Sequence, residues 1–127
     1  SPASGGPTAM TDRADTTITR VGTHVLIDIR GAKGLDEPAA LEAILRKAAF
    51  AAGATILQAH FHHFGAQMGV TGVLMLAESH ISIHTWPEND FAAIDIFMCG
   101  SADIEAAVAV IEEAYCLSEV DVRRMAR

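Results

Sequence analysis

Residues 78 to 88 read ESHISIHTWPE, a run that gathers serine hydroxyls, two imidazoles, the chain's one tryptophan and two carboxylates around two isoleucines. An imidazole titrating near neutrality serves as a general acid or base, and a serine hydroxyl becomes a nucleophile once a base or a strained neighbour activates it. Ser79 is no hydrolase elbow, because it follows Glu78 and leads into a strand, where a GxSxG motif would turn into a helix. Without a partner it would be an ordinary serine between two strands. A second cluster, His60, His62 and His63 in AHFHHF, lies upstream. Side chains alternate along a strand, so His60 and His62 share a face, as do His80 and His84. Four such imidazoles have the donor chemistry of a zinc or iron site. HFHHF offers no carboxylate partner at a ligand spacing, which leaves polar packing as the plainer account. Cys99 suits either a small buried apolar position or a thiol placed for chemistry. Cys116, beside Tyr115 and Leu117, reads as structural. Trp86, just before Pro87, is either a core aromatic or a ring facing a ligand.

These residues must be held by elements that the hydrophobic pattern outlines. THVLIDIR alternates Val25, Ile27 and Ile29 against polar neighbours, the mark of a strand with a buried face. DEPAALEAILRKAAFAAG predicts a helix, with Asp36 as N-cap, Pro38 in the first turn, an apolar stripe at Leu41, Ile44, Leu45 and Ala48, and Gly53 as its stop. ATILQAHFHHF, GVTGVLMLAES, HISIHTW and FAAIDIFMC follow as strands, broken at Gly65, Gly69, Pro87 and Gly100. SADIEAAVAVIEEAYC predicts a second helix capped by Ser101 or Asp103, and EVDVRRM an edge strand. The order β-α-β-β-β-β-α-β predicts an α+β two-layer sandwich, a mostly antiparallel sheet with both helices on one face. Residues 1 to 20, rich in Ser, Thr, Pro and Gly, predict a flexible arm, with Met10 the expected natural start; residues 21 to 127 form a single domain.

The composition narrows the function classes. A chain of 127 residues has room for one core, and the net charge of −7 argues against a phosphate-backbone binder. No apolar run reaches the roughly 20 residues of a membrane span. Two cysteines form no secreted disulfide framework and no basic-then-apolar leader is visible, so the expected compartment is the cytoplasm. Neither a nucleic acid nor a membrane is an expected partner.

Taken together, GVTGVLMLAESHISIHTWPE and FAAIDIFMCG resemble the short, pyruvoyl-dependent S-adenosylmethionine decarboxylase proenzymes of bacteria and archaea, and the resemblance runs from GTHVLIDI through GATILQAHFHHF to Gly100. It implies that the chain cuts itself between Glu78 and Ser79, into a β chain of residues 1 to 78 and an α chain of 79 to 127. The Ser79 hydroxyl would attack the Glu78 carbonyl. Elimination and hydrolysis would then turn residue 79 into a pyruvoyl group, the built-in cofactor, whose ketone takes the substrate amine as a Schiff base and accepts the electrons released with CO2. The family gives His84 the role of assisting the cut and Cys99 that of proton donor in turnover, with Asp95 on the same face of the strand as a candidate influence on Cys99. Thr71 stands where many relatives carry a serine and keeps the hydroxyl that supports processing. Phe64 and Trp86 match the aromatic pair around the adenine, and Glu88 the carboxylate that holds the ribose.

The resemblance further implies a homodimer of αβ units with sites shared between protomers, no catalytic metal, and a role in spermidine biosynthesis. GAQM after Phe64 is one residue longer than in many relatives, and Asp90 stands where a glycine is common. An added carboxylate there would suit a basic tail, so a pyruvoyl-dependent decarboxylase of arginine or ornithine is the alternative, with a metal-dependent enzyme using the histidines further behind. His80 and Ser82 have no role on this reading.

Overall fold

The computed structural model describes residues 20–127. The expected arm, Met10 included, lies outside the described residues apart from Arg20. In chain order the elements are β1 (Gly22–Arg30), α1 (Pro38–Ala51), β2 (Ile56–His63), β3 (Val70–Leu76), β4 (Ser79–Trp86), a single 3-10 turn at Pro87–Asn89, β5 (Phe91–Cys99), α2 (Ile104–Ala114) and β6 (Glu119–Ala126). The strands form one six-stranded sheet in the order β2-β3-β4-β5-β1-β6. Every neighbouring pair is antiparallel. Both helices cover one face, as the sequence order predicts, and β6 is an edge strand.

Alternation decides what each face carries. Val25, Ile27 and Ile29 of β1, Leu74 and Leu76 of β3, Ile81 and Ile83 of β4, and Ile94 and Ile96 of β5 are buried against Leu41 and Leu45 of α1 and Val108 and Ile111 of α2. The intervening residues face away from the helices: His24, Leu26 and Asp28 on β1, Thr71, Val73 and Met75 on β3, His80, Ser82, His84 and Trp86 on β4, and Asp95, Phe97 and Cys99 on β5. Among the described residues no helix covers this second, open face. Packing requires a glycine at position 72, where a Cβ would lie 2.2 Å from the Phe61 ring on neighbouring β2.

Two boundaries differ from the expectation. The α1 N-cap is Glu37, not Asp36, and its side chain makes no capping bond. Pro38 explains this, since the residue before a proline is pushed out of the helical region, and Glu37 has φ −115° and ψ 94°. β3 stops at Leu76, and the turn is Ala77–Glu78, so Ser79 opens β4 where the pattern had attached it to the strand before. Of the two candidate caps for α2, Asp103 is the one used, its Oδ1 accepting from Ala106 N at 3.2 Å. At the other end of α1, Gly53 stops the helix at φ 76°, with Ala54 N bonded back to Ala49 O.

Candidate active site

The residues singled out in the sequence fall into two groups at opposite ends of the β3–β4–β5 strands. Phe64, Thr71, His84, Trp86 and Glu88 line one cavity of about 350 Å³ together with Met68, Gly69, Val70 and Thr85, a volume suited to a small molecule. Register brings Thr71 opposite His84, and Thr71 Oγ1 lies 3.0 Å from His84 Nδ1. Each aromatic is backed by a second ring and keeps a free side: His62 packs edge-on to Phe64 at 4.6 Å between centroids, and Phe91 lies 5.6 Å from Trp86. Phe64 is 57% exposed and Trp86 41%, so neither is a core aromatic. Such rings can stack on a flat base or face a sulfonium.

The floor of this cavity is latched from the helix side. Buried Thr85 accepts from Val70 N at 2.8 Å and donates to Leu35 O at 2.7 Å, tying the strand pair to the loop that precedes α1. A Cβ on Gly69 would stand 2.1 Å from the Thr85 carbonyl, so the backbones can approach there only because residue 69 is a glycine.

The second group sits at the far end of β4. Glu78 holds φ 62°, a left-handed conformation that costs a glutamate energy and persists only where the surroundings impose it. Ser79 follows directly, its hydroxyl donating to Ala77 O at 3.2 Å. The Cys99 thiol donates toward Glu78 Oε1 at 3.8 Å and lies 3.6 Å from Ser101 Oγ. A peptide bond under turn strain, a hydroxyl, a carboxylate and a thiol thus share one corner. His84, however, is five residues along the strand from Ser79, roughly 16 Å at the usual rise. Within one protomer the imidazole cannot reach the Ser79 hydroxyl.

Asp95 does not touch Cys99. It lies between the two groups, where Oδ2 accepts from His24 Nε2 at 2.7 Å and from His80 Nε2 at 2.8 Å, and Oδ1 accepts from Ser82 Oγ. Burial pushes the Asp95 carboxyl up, but the hydrogen bonds from Ser82, His24 and His80, with the His80 charge, outweigh it and leave the group below its ordinary value. His60, His62, His80 and His84 do not converge; among the described residues the metal-type cluster is His24, His80 and Asp95. His60 and His62 are exposed on the open face. Asp90 does not line the aromatic cavity. It occupies a left-handed position, φ 50°, which explains why glycine suits that place, and its carboxylate is paired with Lys33 Nζ at 2.8 Å. The group that favoured a basic substrate is therefore already neutralised.

Residues that sequence reasoning passed over are Thr85, His24 and, as a neighbour of Cys99, Ser101. Thr85 carried one signal, a polar residue in the same phase of β4 as Ile81 and Ile83. His24 carried none, because 71 residues separate it from Asp95 and only the β1–β5 pairing joins them.

The α+β sandwich thus carries a ligand-sized aromatic cavity at one end of its sheet and a strained Glu–Ser peptide beside a thiol at the other. The family model described as S-adenosylmethionine decarboxylase matches residues 23–127. The chain belongs to that family, whose members are carboxy-lyases. Among the curated S-adenosylmethionine decarboxylase proenzymes, that of Thermomicrobium roseum is 36% identical over 108 residues, 84% of this chain and 93% of the relative. That of Methanococcus vannielii is 47% identical over 83 residues, 64% of this chain and 67% of the relative. The crystal structure of the adenosylmethionine decarboxylase from Aquifex aeolicus superposes with a TM-score of 0.77 at 31% identity, covering 87% of this chain and 92% of that one. Among the described residues no helix is long and apolar enough to cross a membrane.

Proposed function

We propose that this chain is a self-processing, pyruvoyl-dependent S-adenosylmethionine decarboxylase supplying decarboxylated S-adenosylmethionine for spermidine biosynthesis. The observation that carries the proposal is the corner at the start of β4, where Ser79 follows a left-handed Glu78 and Cys99 faces the same turn. Processing begins when Ser79 Oγ attacks the Glu78 carbonyl carbon, so that an ester C–O bond replaces the peptide C–N bond and the freed nitrogen takes a proton. Loss of the Cα proton expels the Glu78 carboxylate, and water then releases ammonia from residue 79. The residues present fit the outcome: a hydroxyl residue at a strand start, a turn whose strain the cut relieves, and a thiol within reach. The pyruvoyl group so formed supplies the electron sink for decarboxylation. Cys99 holds the proton needed at the substrate carbon, and Ser101 orients the thiol. Phe64 and Trp86 stack on the adenine, and Glu88 accepts from the ribose hydroxyls.

The roughly 16 Å between Ser79 and His84 supports a site built from two copies. In a homodimer that stacks the open faces head to tail, the Thr71–His84 pair of one protomer meets the Ser79 corner of its partner. Leu26, Val73, Met75 and Met125 are exposed apolar residues on elements of this face and would be covered by the pairing. The unpaired cysteines agree with a reducing compartment, and we place the enzyme in the cytoplasm. Intact-mass measurement tests the core of the reading: two fragments divided between Glu78 and Ser79 are expected, and one stable chain of full mass would refute it. CO2 release from S-adenosylmethionine, compared with arginine and ornithine, tests the substrate; faster release from either amino acid would replace the proposed one.

A further inference from the structure

Cleavage after Glu78 would turn Ser79 from the inside of a hairpin into a chain end, and chain ends fray unless tied down. The backbone restrains that end weakly. Residue 79 pairs with Leu76 on β3, but the ladder to β5 begins only at His80, opposite Phe97. The first side-chain anchor beyond the cut is the His80 imidazole, held by Asp95 at 2.8 Å, and the second is Ser82 on the same carboxylate. Asp95 is itself fixed from the far side by His24 on β1. Arg127 Nη1 donates toward His24 Nδ1 at 3.3 Å, which leaves the ring proton on Nε2, the atom facing Asp95. Side chains from the two strands that flank β5 therefore converge on a single carboxylate, with an arginine behind His24.

The same three donor atoms resemble a two-histidine, one-carboxylate metal set. Each is already engaged in a hydrogen bond, and Arg127 occupies the other nitrogen of His24, so a cation would have to break the network and approach a guanidinium. The arrangement is that of a clamp. We propose that Asp95 is a positioning residue, which by gripping His80 and Ser82 keeps the newly formed end of β4 in place so that the group at position 79 stays beside Cys99. The inference rests on the cleavage proposed above. It gives roles to His80, Ser82 and His24, none of which touches the reacting atoms in this protomer.

The charged and titratable groups around the clamp are His24 and Asp28 on β1, His80 and His84 on β4, and Arg123 on β6 with Arg127 beyond it. A clamp needed only after the cut separates from a merely structural contact by its dependence on the cut. The test is amide hydrogen exchange at residues 80 to 82 for Asp95→Asn in two backgrounds, the wild-type chain after processing and the uncut Ser79→Ala chain. In the processed chain, protection should fall on the order of tenfold or more, the scale of a lost charge-assisted hydrogen bond, with kcat reduced and KM held. In the Ser79→Ala chain, where the turn still holds residue 79, protection should change little. Equal losses in both backgrounds would make Asp95 structural, and no loss in the processed chain would overturn the clamp. Should Asp95→Asn fail to fold, His80→Phe removes the first tether alone and is read by the same comparison. A wild-type chain that never divides refutes the cleavage reading instead, which mass measurement registers separately.

Discussion

The two ends of the β3–β4–β5 strands are built on opposite plans. At the cavity end, Thr71 faces His84 in full ladder register, Thr85 is buried with both its hydrogen bonds made, and Gly69 lets the backbones close. At the Ser79 end the residues stand on a two-residue turn and on strand termini, with a left-handed glutamate and loose sulfur contacts of 3.6 to 3.8 Å. On the proposed function, the contrast follows from what each end would have to do. Recognition needs groups held in advance, because ordering them at binding would cost affinity. A peptide bond that is to be broken needs strain and room to rearrange, which a saturated ladder would not allow.

The sharpest way to break this division is to separate the ends onto different chains. Ser79→Ala keeps the His84 end and loses the nucleophile, while His84→Ala does the reverse. Each alone should remain uncut, and in mixed dimers the His84→Ala chain should be cleaved. Absence of cleavage in the mixture, with both variants shown by mass to be paired, would mean that the ends do not meet across protomers.

Next in size is Cys99→Ala. It should still process, yet lose roughly 10²- to 10⁴-fold in turnover, the usual worth of a positioned general acid. Normal steady-state CO2 release by this variant would remove Cys99 from the reaction. Trp86→Ala should leave processing intact and raise KM by roughly one to two orders of magnitude, from about 1–3 kcal/mol of lost stacking, with kcat little changed. A fall in kcat alone would place the ring in chemistry and blur the division.

Thr85→Val probes the latch and not a contact with the substrate. It leaves Val70 N–H and Leu35 C=O buried without partners, and should cost about 1–3 kcal/mol in denaturant unfolding. A neutral result would mean that water or a shifted loop replaces the bond. The smallest effect is expected at the strained turn. In the Ser79→Ala background, Glu78→Gly should gain about 0.5–1 kcal/mol of stability by removing the left-handed penalty, and a loss would show that the Glu78 carboxylate contributes more than its backbone costs.

Much of this molecule was legible in the residues because local patterns are enforced locally. A period of two fixed which side of β1, β3, β4 and β5 would be buried. The stripe from Leu41 to Ala48, with Pro38 before it and Gly53 after, defined α1 to within a residue or two. The ESH and FMCG motifs hold residues that meet at the turn opening β4, and the misassigned ends, at Asp36 and Ser79, are places where a proline and a turn outweigh periodicity. Residues remote in sequence were harder. Asp95 was noticed for sharing a strand face with Cys99, yet its partners are His24, His80 and Ser82, and Asp90 is paired with Lys33 outside the pocket.

The sequence by itself determined the element order, the buried faces and the residue types available for chemistry, since these follow from side-chain alternation, helix periodicity and the intrinsic reactivity of Ser, Cys and His. Only the tertiary structure decided which of those residues meet. Strand order and register are set by long-range pairing and by packing against the helices. They put Thr71 beside His84, His24 beside Asp95, and the length of a strand between His84 and the bond next to Ser79.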